Sequence, residues 1–499
     1  MDETENDSAL VEAGLTVTLA PGRAEGDVVA RGVFSGDDLV VPDAERHRLD
    51  LVGFGAKVGQ AQLATDADGT VALLVGLGAR DRMDPATLRR AAGAMTRAAT
   101  RIPALATTLI ADLEGVVPGP EAAAAIATGA LSVRYRFDAH RSRPSTDGPA
   151  HIRLVTPEAD DPAVVAAVRR ATVLARGVAL ARDLVNEPGG TLTPTELAER
   201  IRALASDRLR VVVHDHQAIR ALGMGGVLGV NRGSTQPPAF VEVHHEPPRP
   251  TGRALALVGK GITYDTGGIN LKKLATSLIV MKGDMGGAAA VIGAMSVLAD
   301  LDVPTRVTAY LPLTDNMTGG DATRPGDVLR MYGGTTVEVV DTDAEGRLVL
   351  ADAVAYAADH GDADAIVTVA TLTGTIVHAT GTEYGAVIGR EQEVTDAILA
   401  AAEGTPDRAW PLPRMAEYRG MLKSTVADLT NRSEAPAASA VAALFVEQFV
   451  GDTPWAHIDM NAVNLRDRDT DDGPAGARGW GVHLLVRLAE AYGAEEATS

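Results

Sequence analysis

Residues 254–301, ALALVGKGITYDTGGINLKKLATSLIVMKGDMGGAAAVIGAMSVLADL, decide the fold. ALALVG is a short apolar run of strand length, and DMGGAAAVIGAMSVLADL is an alanine-rich run long enough for a buried helix. A strand, a glycine-rich turn and a helix in that order form half of a β-α-β unit. The same alternation extends outward from about residue 190, with candidate strands RVVVHD (210–215), RVTAYLP (306–312), TVEVV (336–340) and AIVTVATLTG (365–374) separated by alanine-rich stretches. This pattern predicts an α/β protein with a mostly parallel sheet covered on both faces. Ligands of such sheets bind beyond the carboxyl ends of the strands. Lys260 follows ALALVG, Asp343 and Glu345 follow TVEVV, and Thr371 to Gly374 close AIVTVATLTG, so the three segments are expected to meet in one crevice.

The chain of 499 residues exceeds what one core usually supports, and its 46% hydrophobic content supplies core for two domains. Residues 1–14 read as a disordered N-terminus and 15–160 as a small α/β domain, in which DPATLRRAAGAMTRAATRI is the clearest helix. DPAVVAAVRRATVLARGVALARDLV starts at an Asp cap and keeps helical spacing to the NEP break, so residues 161–188 read as a linking helix. Residues 189–499 then carry the chemistry. A formal charge of −20 disfavours nucleic acid as a partner. No cysteine is present, so any metal must be held by oxygen or nitrogen. The acidic start MDETENDSALVEAG lacks the order of a secretion signal, and no uninterrupted apolar run reaches the roughly 18 residues of a membrane span, so a cytoplasmic protein without a membrane partner is expected.

Of 46 basic residues only six are lysines, and four of these (Lys260, Lys272, Lys273, Lys282) fall within residues 260–282. Lysine can lose its proton where arginine effectively cannot, so a local return to lysine points to chemistry. Asp265 shares the stretch in a DTGG turn, Asp284 opens the following helix as an N-cap or a ligand, and Asp343 and Glu345 stand two apart before Gly346. An extended loop would turn the last two to one side. Four gathered carboxylates repel one another strongly, and divalent cations are the usual compensation. Two ions fit best, because shared carboxylates hold metals roughly 3.5–4 Å apart in hydrolytic sites. Zinc and manganese lead, with magnesium or cobalt also compatible with such donors.

The blocks VGKGITYDTGGINLK, KGDMGGAAAV and DTDAEGRLVLADA resemble the signatures of the leucyl aminopeptidase (cytosol aminopeptidase) family of dinuclear metallopeptidases. LVNEPGGTLTP, GMGGVLGVNRGSTQPP, NMTGGDATRPGDVL, VATLTG, STVADLTN and TPWAHIDM extend the resemblance over about residues 175–465. It implies an N-terminal, macro-like α/β domain, a C-terminal peptidase domain with a central mixed sheet, and a homohexamer acting on peptides or dipeptides. One ion would take Asp265, Asp343 and Glu345, and the other Lys260, Asp265, Asp284 and Glu345. Lys272 and Arg347 match the catalytic cations: Lys272 would polarise the scissile carbonyl, while Arg347 would hold a bicarbonate that, as general base, takes the proton of a metal-bridging water and so leaves the attacking hydroxide. Met281, Thr371 and Gly374 would border the substrate's first side chain, Leu372 would offer the substrate a hydrogen bond through its backbone, and the substrate amine would bind one metal and Asp284, confining cleavage to the first peptide bond.

This chain departs from the family pattern at particular places. Asp341-Thr342-Asp343 stands where Asn-Thr-Asp is usual, the loop between Lys272 and Asp284 carries one extra residue, and Asn461 replaces a small residue in HIDMNAVN. His457 and His483 read as structural, since the implied shells are complete without them. The altered pocket keeps a second enzyme reading alongside general peptide turnover: a specialised dipeptidase or biosynthetic peptide-trimming enzyme. A third, from another class, is a non-catalytic assembly or DNA-binding protein, which the acidic balance and the filled functional positions disfavour.

Overall fold

The computed structural model describes residues 10–12, 14–22, 28–250, 252–433 and 436–494. Of the stretch expected to be disordered, residues 1–9 and 13 lie outside the described residues, while Leu10–Glu12 pairs antiparallel with Leu15–Ala20. The chain divides into two compact units, Met1–Ala179 with Arg466–Gly476, and Leu180–Leu465 with Ala477–Ser499.

The first unit is built on a seven-stranded sheet ordered Leu10–Glu12, Leu15–Ala20, His151–Val155, Ala104–Thr107, Val28–Phe34, Val71–Gly78, Ala61–Thr65, parallel except at its two edges. The alanine-rich helices Pro85–Ala98 and Gly119–Arg134 pack together, their small side chains admitting a close approach. Asp84 caps the first of them by accepting the Thr87 N–H at 2.6 Å.

The second unit holds a nine-stranded mixed sheet, in the order Ala409–Pro411, Gly385–Gly389, Trp455–Asp459, Ala365–Ala370, Ala254–Gly259, Arg306–Asn316, Ala239–His245, Leu209–His214, with Gly261–Asp265 also paired to Arg306–Asn316. Its central strands Trp455–Asp459, Ala365–Ala370, Ala254–Gly259 and Arg306–Asn316 run parallel and carry the most buried residues. Ala256, Val258, Ile366 and Tyr310 enter the core with helices Gly346–His360 and Ala438–Glu447. Period-two alternation leaves Leu255 and Leu257 for the other face, where Gly286–Leu298 and Val482–Ala494 pack. The helical stretch Ala275–Leu298 has the length and apolar composition of a membrane span, but most of it is buried inside this unit, as a core helix would be.

The structure corrects two expectations. TVEVV does not join the central sheet: only Thr336–Glu338 is strand, in a separate three-stranded sheet between Val328–Arg330 and Leu429–Thr430. A segment this short reads the same in either sheet, because alternation fixes the face of a strand and not its neighbours. Asp284 is not the N-cap of the following helix. Met285 takes that position, the helix begins at Gly286, and the Asp284 carboxylate turns towards Lys260 and Thr371.

Candidate metal and catalytic centre

Each functional side chain reaches the crevice from a break in regular structure. Lys260 lies between the strands Ala254–Gly259 and Gly261–Asp265, held by its N–H donating to Val369 O (3.0 Å) and its carbonyl accepting from Ala288 N (2.9 Å). Asp265 ends the second strand. The chain then turns back through Gly267 and Gly268 at φ +88° and +63°, a left-handed path that side-chain-bearing residues rarely follow. The turn presents the Gly267 N–H to Asp265 Oδ1 at 2.8 Å and sends the chain on to Lys272. Glu345 immediately precedes the helix Gly346–His360, with Arg347 in its first turn.

These residues converge. The Lys260 ammonium donates to Asp284 Oδ1 (2.8 Å) and Thr371 O (2.9 Å) and lies 2.9 Å from Glu345 Oε1, so three acceptors meet its three donors. Lys272 Nζ bridges Asp265 Oδ2 (2.7 Å) and Asp343 Oδ1 (2.5 Å). Lys273, its neighbour, is exposed. Asp265, Asp284 and Glu345 are all buried and place a ligand oxygen each within 4.8 Å of one another. Asp343 is the most open of the four carboxylates, and residues 342–343 form a turn, so the condition of an extended loop is not met.

Thr371 belongs to this cluster through its hydroxyl, which donates to Asp284 Oδ1 at 2.8 Å. Met281 joins through its carbonyl, which accepts from Asp284 N at 3.2 Å. The Leu372 N–H is committed to Asp459 Oδ1 at 3.2 Å. Gly374 stands apart at the exposed start of the Gly374–Ile376 turn, where an added Cβ would meet no atom within 4 Å. Arg347 is buried, donates through Nη1 to the Asn431 carbonyl at 2.8 Å, and its buried Nε has no acceptor among the described residues. His457 is a core side chain whose Nδ1 meets the Thr368 hydroxyl at 2.8 Å.

The electrostatics follow from burial. Desolvation works against the Lys260 ammonium, yet Asp284, Glu345 and Asp265 together lift its proton affinity above the ordinary lysine value. Lys272 is likewise raised against its burial, chiefly by Asp265. Burial and the neighbouring Glu345 push Asp265 up to about 6, and burial raises Asp284 further above its usual range. Glu345 is the exception: burial opposes its charge, but Lys260 and Lys272 hold its carboxyl below the usual value. Arg347 is lowered by burial to about 10 and stays cationic at neutral pH.

The donor set fits divalent cations. Three carboxylates crowd one buried spot beside the two lysine ammonium groups, and Asp284 Oδ2, although 2.8 Å from Lys260 Nζ, has no well-directed hydrogen bond among the described residues. Some groups that shape the site were not assigned a role from sequence. Asn316, at the end of Arg306–Asn316, donates through Nδ2 to Asp265 Oδ1 (2.8 Å) and to Thr342 O (3.0 Å), tying a glycine turn to the acidic loop. Asp459 accepts from Leu372 N and from the Thr373 hydroxyl (2.6 Å). Asn316, Asn431 and Asp459 all fall in or beside the blocks NMTGG, STVADLTN and WAHIDM, which was the available signal.

The profile of the cytosol aminopeptidase family, catalytic domain, matches residues 179–486, and that of the family's N-terminal domain matches residues 49–144. A probable cytosol aminopeptidase of Syntrophotalea carbinolica is 37% identical over 91% of this chain and 93% of its own length. One of Leifsonia xyli is 38% identical over 96% and 98%. Among solved structures, the bottromycin maturation enzyme BotP in complex with Mn is 40% identical, with a TM-score of 0.85 over 94% of this chain and 99% of that one. On these matches over both units, the chain belongs to the cytosol aminopeptidase family, whose members are metal-dependent exopeptidases.

Proposed function

We propose that the protein hydrolyses the N-terminal peptide bond of peptides, with two divalent ions per subunit held by Lys260, Asp265, Asp284, Asp343 and Glu345. The observation that carries this reading is the buried cluster of Asp265, Asp284 and Glu345 with both lysines inserted among its carboxylates. One ion takes Asp265, Asp343 and Glu345, and the other Lys260, Asp265, Asp284 and Glu345. When bound, the ions supply positive charge that acidifies water and polarises the scissile carbonyl. Manganese or zinc is the expected metal, and the manganese complex of BotP supports the first.

The remaining chemistry belongs to the chain. Lys272 keeps its proton at neutral pH and can stabilise the charge that develops on the carbonyl oxygen. Arg347 offers a fixed buried cation whose Nε has no acceptor among the described residues, which suits a small planar anion such as bicarbonate as the proton carrier. Asp284 receives the substrate ammonium, so a free N-terminus is required. Met281, Thr371 and Gly374 border the first side chain. Because the Leu372 N–H is already used, a substrate hydrogen bond at that residue falls to its carbonyl. A homohexamer of this two-domain chain in the cytoplasm completes the reading, on the strength of the family likeness.

A second reading, trimming of one biosynthetic peptide, is favoured by the likeness to BotP and by Asn461 beside Asp459. Identity alone does not separate the two, since curated aminopeptidases match as well, at 37–40%. The test is manganese-loaded protein on a panel of aminoacyl amides, dipeptides and their N-acetylated forms. Release of many first residues, blocked by acetylation, supports general turnover. Activity on one substrate alone supports the second reading, and no release from any free N-terminus overturns both.

A further inference from the structure

The acidic loop that carries Asp343 and Glu345 does not hang from the central sheet. It leaves the short strand Thr336–Glu338, which pairs with Leu429–Thr430, and the two residues after that partner strand grip it. Asn431 is fully buried. Its Oδ1 accepts from the N–H groups of Val340 (2.9 Å) and Asp341 (3.3 Å), and its Nδ2 donates to the carbonyls of Asp341 (2.6 Å) and Ala344 (3.3 Å). Its own carbonyl accepts from Arg347 at 2.8 Å, so one residue spans the metal-ligand loop and the catalytic cation. Arg432, the next residue and largely exposed, is ion-paired with the buried Asp341 carboxylate. The other oxygen of Asp341 accepts the Asp343 N–H at 2.9 Å.

We infer that Asn431 and Arg432 are positioning residues: a two-residue clamp that sets the path of the loop 340–345 and the reach of Arg347, with Arg432 balancing the charge that this chain carries at Asp341. Asparagine suits the first position because only an amide both accepts from two N–H groups and donates to two carbonyls there. The Asp341 side chain keeps its bond to Asp343 as either aspartate or asparagine, but only aspartate, buried next to further carboxylates, needs a cation. Arg432 is therefore required because Asp341 is charged.

The consequence for turnover rests on the function proposed above, whereas the clamp itself is tested without it. Hydrogen exchange of residues 340–347 is measured in metal-free wild type, Asn431→Asp, Arg432→Met and Asp341→Asn/Arg432→Met, followed by manganese titration and turnover of leucine amide. Asn431→Asp turns two donors into acceptors facing carbonyls, and it is expected to speed exchange across 340–345 and to weaken manganese binding about 10–100-fold, the usual effect of removing a group that orients a ligand. Arg432→Met alters an exposed side chain, and its thermal unfolding is recorded so that a change in the loop is read on folded protein. It is expected to speed exchange at Asp341 and Asp343 and to lower kcat about 5–10-fold with KM within twofold, and adding Asp341→Asn should restore both, the non-additivity that marks coupled residues. Unchanged exchange in Asn431→Asp and Arg432→Met, or a double variant as impaired as Arg432→Met, overturns the clamp. Altered exchange in a wild-type background that neither binds manganese nor cleaves the amide leaves the clamp standing and removes the proposed function.

Discussion

The ammonium of Lys260 lies 2.9 Å from the Glu345 carboxylate, which joins the carboxyl end of a central strand to the residue just before a helix far along the chain. This pair ties together the two segments that carry the proposed metal ligands. Removing Glu345 takes away one of the two carboxylates that pair with the buried Lys260. Glu345→Ala is expected to reduce bound manganese by more than the 10–100-fold typical of groups that only orient a ligand. Turnover should fall below detection. In wild type, manganese at about 100 times its Kd should stabilise the protein by about 2.7 kcal/mol for each ion bound, and chelation should reverse this. Thermal unfolding with and without manganese checks both, and a normal metal-dependent rise in Glu345→Ala would refute the assignment.

Lys272 and Lys273 are adjacent but occupy different worlds. Lys272 sits between Asp265 and Asp343, while Lys273 is exposed. Lys272→Ala is expected to lower kcat/KM by about 10²–10³-fold, the usual loss on deleting an oxyanion donor. Lys273→Ala should stay within about twofold, as a surface change with no bonded partner at the site. Steady-state kinetics on leucine amide decide between them, and a larger loss in Lys273→Ala would reverse the roles.

Much of this site was legible in the sequence, and the exceptions share a cause. Lys260, Asp265, Asp284 and Glu345 announced themselves because a lysine-poor chain places amines and carboxylates in glycine-rich breaks beyond strands. The strand Ala254–Gly259 and the long helix Pro162–Asn186 were readable from apolar spacing alone. TVEVV was misplaced because three residues of alternation do not identify a partner strand. Asn316 and Asn431 received no role because asparagine in a loop reads as a turn former, and its long-range bonds leave no trace in spacing. Asp284 looked like a helix cap because an Asp before a helix ordinarily is one.

His457 gives a pH dependence that is separate from catalysis. Burial and the nearby Arg347 push its imidazole down to about 3, below the ordinary value of 6.5. Between those values the unfolded chain binds the proton and the folded one does not, so stability is lost as pH falls below 6.5 and continues to fall until about 3. The contribution is at most about 1.4 kcal/mol per pH unit. His457→Gln should flatten the acid limb of the denaturant midpoint against pH, leaving the neutral region little changed. An acid limb as steep as that of wild type would show that other groups govern it.

Gly346 offers a test of Lys260 that leaves every charged group in place. A Cβ at this first helical position would lie 2.6 Å from Lys260 Cε and 2.7 Å from its Nζ. Alanine is otherwise the better helix residue by about 1 kcal/mol, so in open space the change would stabilise. Here the flexible end of the lysine must move instead, and it moves out of the position where it meets Asp284 and Glu345. Gly346→Ala is therefore expected to unfold within a few degrees of wild type while binding manganese about tenfold or more weakly, in the range seen when ligand orientation is lost. Calorimetric titration alongside thermal unfolding reads the two effects apart. Manganese affinity equal to wild type in a folded Gly346→Ala protein would mean that the amine of Lys260 is not a ligand, and the second ion would have to be held by carboxylates alone.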